Sequence, residues 1–102
     1  MRLTKKQQDA IRESFVAHFL AADRIWLFGS RADDSKKGGD IDFYIETYYE
    51  DSAIATEKKI KFLSDLKKRI GEQKIDVVIN ILKDNQKLRI YDEAKNTGVQ
   101  LL

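Results

Sequence analysis

The hydrophobic pattern divides the chain into six segments. Ile11, Phe15 and Phe19 recur at helical spacing with Val16 and Leu20 beside them. Thr4 followed by Gln7 has the form of a capping box, which satisfies the first free N–H groups of a helix. Together they predict a helix from Thr4 to about Ala22. RIWLF, Arg24 to Phe28, is short, apolar and rich in strand-forming residues, and Gly29 ends it. Ser30-Arg31-Ala32 then opens a turn or a single helical turn. In DIDFYIE, Ile41, Phe43 and Ile45 point one way while Asp40, Asp42 and Tyr44 point the other, the two-residue period of a strand.

YYEDS interrupts the pattern, and Asp51 or Ser52 is the expected N-cap of a helix reaching Ile70. Its apolar side is read as Ile60, Phe62, Leu63, Leu66 and Ile70. Lys67, Lys68 and Arg69 near its end suit the macrodipole, and Gly71 suits the position just past it. KIDVVINIL is a third strand whose continuous apolar run suggests a central place, covered on both faces. Asp84 is the expected cap of a last helix carrying Leu88, Tyr91 and Ala94 and stopping near Gly98. VQLL is too short to assign. The order helix–strand–strand–helix–strand–helix predicts an α/β (α+β) fold, a small mixed β-sheet with helices packed on one face.

Composition narrows the function. A length of 102 residues and a 42% hydrophobic share predict one domain, residues 1–102, with one modest core. Zero Cys excludes a disulfide framework, a thiolate nucleophile and Cys-ligated zinc. A single His, His18, argues against a His-based zinc site or a Ser-His-Asp triad. No apolar run approaches the roughly 20 residues that span a bilayer, and the first residues lack a signal-peptide pattern. The expectation is a soluble, cytoplasmic protein with no membrane partner. Its 19 basic and 17 acidic residues are interleaved, which fits a solvated surface better than a nucleic-acid arm. There is no Pro, no Ser/Gly-rich linker and no internal repeat.

The chemistry concentrates between Trp26 and Glu46. Asp40 and Asp42 share a strand face, roughly 6.6 Å apart along the chain. Two ionised carboxylates at that separation repel by about 2.5 kcal/mol at an effective dielectric near 20. A strand needs no such pair, although water at an exposed strand end would screen it. A divalent cation such as Mg²⁺ does use one, because it takes hard oxygen ligands and commonly shares them with substrate phosphates. Asp76, at the start of the most apolar strand, reads either as a gatekeeper against aggregation or as a third carboxylate. Should its strand lie beside the DIDFYI strand, three acids meet, as in sites holding two ions about 3.5–4 Å apart. Gly29-Ser30 lies at the equivalent end of the preceding strand. A glycine there lets backbone approach a ligand, and the next N–H groups with a serine hydroxyl suit phosphate oxygens. Arg31 adds a fixed positive charge suited to phosphate, and Lys36 and Lys37 lie in the following loop.

GSRA, then GDIDFYIE, then Asp76 in KIDVVIN resembles the nucleotidyltransferase superfamily that includes DNA polymerase β. The likeness is to its minimal nucleotidyltransferases, and it extends from the first helix to the YDEAKNTGVQLL tail. Asp33 and Asp34 depart from it, standing where many relatives carry Arg-Gly. Gly39 precedes the first acid where Ser is frequent. The resemblance implies transfer of a nucleoside monophosphate from a triphosphate such as ATP to an acceptor hydroxyl, with pyrophosphate leaving. It implies that Asp40 and Asp42 bind Mg²⁺, that Asp76 completes a second metal site, and that Gly29, Ser30 and Arg31 hold the nucleotide's phosphates. It also implies a partner: such proteins are commonly antitoxins of a HEPN-domain ribonuclease toxin, some adenylylating a tyrosine in it. Either a homo- or a hetero-oligomer is compatible with the sequence. The alternative is a weak or inactive module of the same fold that neutralises its partner by binding alone. A subunit whose acceptor site is completed by another chain is a third reading. Tyr48, Tyr49, Trp26 and His18 are read mainly as structural, and Lys58, Lys59, Lys61 and Lys68 as a solvated basic face.

Overall fold

A computed structural model describes residues 1–35 and 39–102. The loop lysines 36 and 37 fall outside the described residues. Helix α1 spans Lys5–His18 and starts as read: the Thr4 hydroxyl accepts the Gln7 N–H while the Gln7 side chain accepts the Thr4 N–H. Strand β1 is Arg24–Phe28, followed by a 3₁₀ turn, Gly29–Arg31. Strand β2 is Ile41–Thr47, helix α2 Ser52–Ile70, strand β3 Ile75–Ile81, helix α3 Arg89–Thr97 and strand β4 Val99–Gln100. Asp51 caps α2 with its carboxylate, and Gly71 leaves it at φ 88°, a conformation glycine adopts without strain.

Among the described residues the four strands form one mixed sheet in the order β3-β2-β1-β4. β1 is antiparallel to β2 and to β4, whereas β2 and β3 run parallel, joined by α2. The expectation of all helices on one face does not hold for α3, but α1 and α2 do cover one face together. Their Ile11, Phe15, Phe62 and Leu66 pack on Ile25, Leu27, Ile41, Phe43 and Ile45. α3 lies on the other face, where Tyr91 and Ala94 join Trp26 and Tyr44 in a smaller cluster. No helix among the described residues is long and apolar enough to cross a membrane.

Four further sequence expectations need correction. α1 ends at His18, not near Ala22, because the buried Asp23 carboxylate accepts the Leu20 N–H and turns the chain into β1. The same carboxylate also accepts the Thr47 hydroxyl and the Tyr48 N–H, tying that corner to the end of β2. Val16 and Leu20, expected beside the apolar stripe, are exposed, as is Ile60 on α2. β3 is an edge strand rather than a central one. Its apolar run reflects cover on both faces, since Val77 and Ile79 meet the main core and Val78 the smaller cluster. Asp84 caps nothing: it closes a 3₁₀ turn, Asn85 then takes φ 50°, and α3 begins only at Arg89, so Leu88 precedes it and is exposed. VQLL contributes β4.

Candidate active site

The strand register brings distant acids together. Asp42 of β2 stands directly opposite Asp76 of β3 in the parallel ladder. On its other side Asp42 pairs in register with Phe28, the last residue of β1. Gly29 follows immediately at φ 72°, so the chain breaks from the strand into the 3₁₀ turn against the Asp42 side chain. A Cβ at position 29 would lie 2.3 Å from Asp42 Oδ2. Glycine is thus required here twice, for its dihedral and for the space the carboxylate occupies.

Asp42 is half-buried, and its carboxyl is raised above the ordinary carboxylate range. Burial is the largest cause; the negative charges of Asp76 and then Asp40 add to it, and Lys74 partly offsets them. Asp40 itself faces Lys74, whose Nζ lies 3.5 Å from its Oδ2. Lys74 was not anticipated as part of the site. Nothing in the sequence marks it; it stands just before β3, and its carbonyl accepts the Ile41 N–H at 3.1 Å. Ser30 is half-exposed on the 3₁₀ turn. Arg31, expected on the nucleotide, donates from its guanidinium to the backbone carbonyls of Arg2 and Gly39, each at 3.0 Å.

Every donor here is a hard oxygen, the type that Mg²⁺ prefers. The facing carboxylates of Asp42 and Asp76 are of the type that could hold such a cation. As oriented, no three acidic or histidine side chains among the described residues are close enough to ligate one ion together. Asp40 is paired instead with Lys74. Next to Gly29 an open groove of about 280 Å³ is lined by Phe28, Gly29, Asp33, Ile90, Glu93 and Thr97. The α3 residues in that lining carried no motif in the sequence.

Further along the same sheet face runs a polar chain. Asn80 donates to the Tyr44 hydroxyl at 3.0 Å, the hydroxyl donates to Glu46 at 2.8 Å, and Glu46 pairs with Lys95 at 3.2 Å. Burial pushes the Tyr44 phenol well above its ordinary value, so it stays protonated as the donor. Trp26 is core here, with the Lys95 ammonium 5.3 Å from its ring centroid. Tyr49 packs edge-on to Phe19, Tyr48 is exposed, and His18 meets Asp65 at 3.1 Å.

A family model described as polymerase beta, nucleotidyltransferase matches residues 10–102. The chain belongs to that family. Its general chemistry is therefore nucleotidyl transfer, with a nucleotide as substrate, and the family typically works with a divalent metal ion. No curated protein and no solved structure matched the chain. Within this nucleotidyltransferase fold, the Gly29 turn, Asp42 and Asp76 lie at adjoining ends of β1, β2 and β3.

Proposed function

We propose that this nucleotidyltransferase moves AMP from ATP onto a hydroxyl of a partner protein, and that the partner is a HEPN-domain toxin for which the chain acts as antitoxin. The observation that carries the catalytic part is the meeting of Gly29, Asp42 and Asp76 at one sheet rim. The resemblance of GSRA and GDIDFYIE to minimal nucleotidyltransferases supports the partner.

Asp40, Asp42 and Asp76 would hold Mg²⁺, which when bound neutralises the triphosphate and the charge that develops on it. The N–H groups after Gly29 and the Ser30 hydroxyl donate to the β- and γ-phosphates. Asp76, the most exposed of the three acids, accepts a hydrogen bond from the incoming hydroxyl and orients it. The acceptor oxygen bonds to the α-phosphorus as the α–β P–O bond breaks. That electron pair leaves with pyrophosphate, and the hydroxyl proton passes to Asp76 and on to water. Phosphoryl transfer needs alignment and charge stabilisation more than covalent participation by the protein, so a site without histidine suffices.

The test is incubation with ATP labelled at the α-phosphate, Mg²⁺ and a co-expressed HEPN partner. Covalent label on the partner is expected. Label appearing on RNA or a small molecule instead would overturn the acceptor. A second reading, neutralisation by binding alone, draws support from the Lys74–Asp40 pair, which occupies one expected ligand. Metal-dependent ATP binding separates the two, because a docking module has no need of it.

A further inference from the structure

The base of the Gly29 turn is laced to the N-terminal segment by two arginines. Arg2 donates its N–H to the Arg31 carbonyl at 2.7 Å and its guanidinium to the Ser30 carbonyl at 3.2 Å. Arg31 answers by donating Nη1 to the Arg2 carbonyl, while Nη2 reaches across the loop to the carbonyl of Gly39, the residue before Asp40. We infer that Arg31 is a positioning residue: its fork spans two backbone carbonyls and fixes where the chain re-enters β2, and so where Asp40 stands relative to Asp42 and the Ser30 turn.

Three physical points carry this. The two carbonyls are separate targets, and only a planar fork with several donors meets both from one side chain. Both bonds go to backbone, so they fix chain path rather than a single rotamer. Asp40 has no ladder partner of its own, because β2 begins at Ile41. Its approach is therefore set by Gly39 on one side and by the Ile41–Lys74 backbone bond on the other. Releasing Gly39 leaves Asp40 free to follow Lys74 alone. A positioning arginine keeps both carbonyl bonds when nucleotide binds.

The inference rests on the reading of Asp40, Asp42 and Asp76 as metal ligands, and the test separates its failure from the failure of that reading. Mn²⁺ alone, without nucleotide, is titrated into wild type, Arg31→Lys, Arg31→Ala and Arg2→Ala, with thermal melts of each. Residues that orient metal ligands typically change metal affinity about ten- to hundredfold when removed. A loss in that range is expected for Arg31→Ala and for Arg31→Lys, which keeps the charge but not the fork. Arg2→Ala should lose less, since its backbone carbonyl remains. Unchanged Mn²⁺ affinity with weakened Mn²⁺-ATP binding would overturn the inference and return Arg31 to the phosphates. Should Arg31→Ala not fold, Arg31→Lys carries the test. A wild type that binds no Mn²⁺ would instead sink the metal-site reading itself.

Discussion

Strand β2 sends its side chains into two different environments, and the contrast between them separates stability from chemistry. On the α1/α2 side, Ile41, Phe43 and Ile45 are fully buried in a core of rings. Phe62 lies within 5.9–6.0 Å of Phe15, Phe19 and Phe43, centroid to centroid. On the α3 side, the intervening Asp42, Tyr44 and Glu46 stand among Asp76, Asn80 and Lys95. One face removes apolar surface from water. The other holds charge where burial and like neighbours make it unwelcome. A chain of this size has little hydrophobic surplus, so the first face must supply the stability that lets the second be unfavourable.

Phe62→Ala should be the most damaging single change. It should cost about 3–5 kcal/mol, read as a lower urea midpoint, because the vacated ring volume cannot be refilled by three neighbouring rings. A loss below about 1 kcal/mol would show that the ring cluster is not the main support. Gly29→Ala comes next, at about 1–3 kcal/mol, since an L-residue is strained at φ 72° and its Cβ meets the Asp42 carboxylate. Unlike Phe62→Ala, it should also displace Asp42 and lower Mn²⁺ affinity in the protein that remains folded. Tyr44→Phe should cost about 1–2 kcal/mol by leaving the Asn80 amide and Glu46 without their shared hydroxyl. Asn80→Ala in that background should then cost less than in wild type, which a double-mutant cycle measures.

Much of this contrast was legible in the sequence. The alternation in DIDFYIE fixed which β2 residues face which side, and the Thr4 and Asp51 caps were plain because their partners lie within one helical turn. Long-range placement was less legible. An apolar run reports how many faces of a strand are covered and not how many neighbours it has, so β3 read as central while lying at the edge. The end of α1 depends on Asp23 meeting Thr47 and Tyr48, residues more than twenty positions away. At the site, residue type pointed to Asp42 and Asp76, and the parallel register then set them opposite each other. Lys74 escaped, and Arg31 was read onto phosphate rather than onto backbone, for one reason: a surface cation looks alike in sequence whether it is solvated, grips a carbonyl or faces an acid.

Asp42→Asn tests whether the polar face is held for chemistry. Removing one charge relieves the repulsion from Asp76 and Asp40 and gives up the attraction of Lys74. The net change should leave the melting temperature equal or slightly raised, within about 1 kcal/mol, while metal-dependent ATP binding is lost. An Asp42→Asn protein that unfolds would make the acid structural.

The smallest expected effect lies on the apolar side of the sheet, at the charged rim between α1 and α2. Arg69 donates to Asp65 at 3.1 Å and to Glu13 at 2.6 Å, and His18 meets the other Asp65 oxygen. The Arg69 hydrogen bond, followed by that from His18, holds the Asp65 carboxyl below its ordinary value of 3.8. A carboxyl lowered on folding stabilises the protein above its unfolded pKa. That contribution fades as pH falls from 3.8 through the lower folded value. Wild type should therefore lose slightly more stability on acidification over that window than Asp65→Asn, in thermal melts matched for salt. Solvent screening keeps the difference small, and added salt should shrink it further. Salt should barely alter the Phe62→Ala loss, because nothing at that ring carries charge. The same salt titration thus distinguishes a rim that trims stability from a core that supplies it.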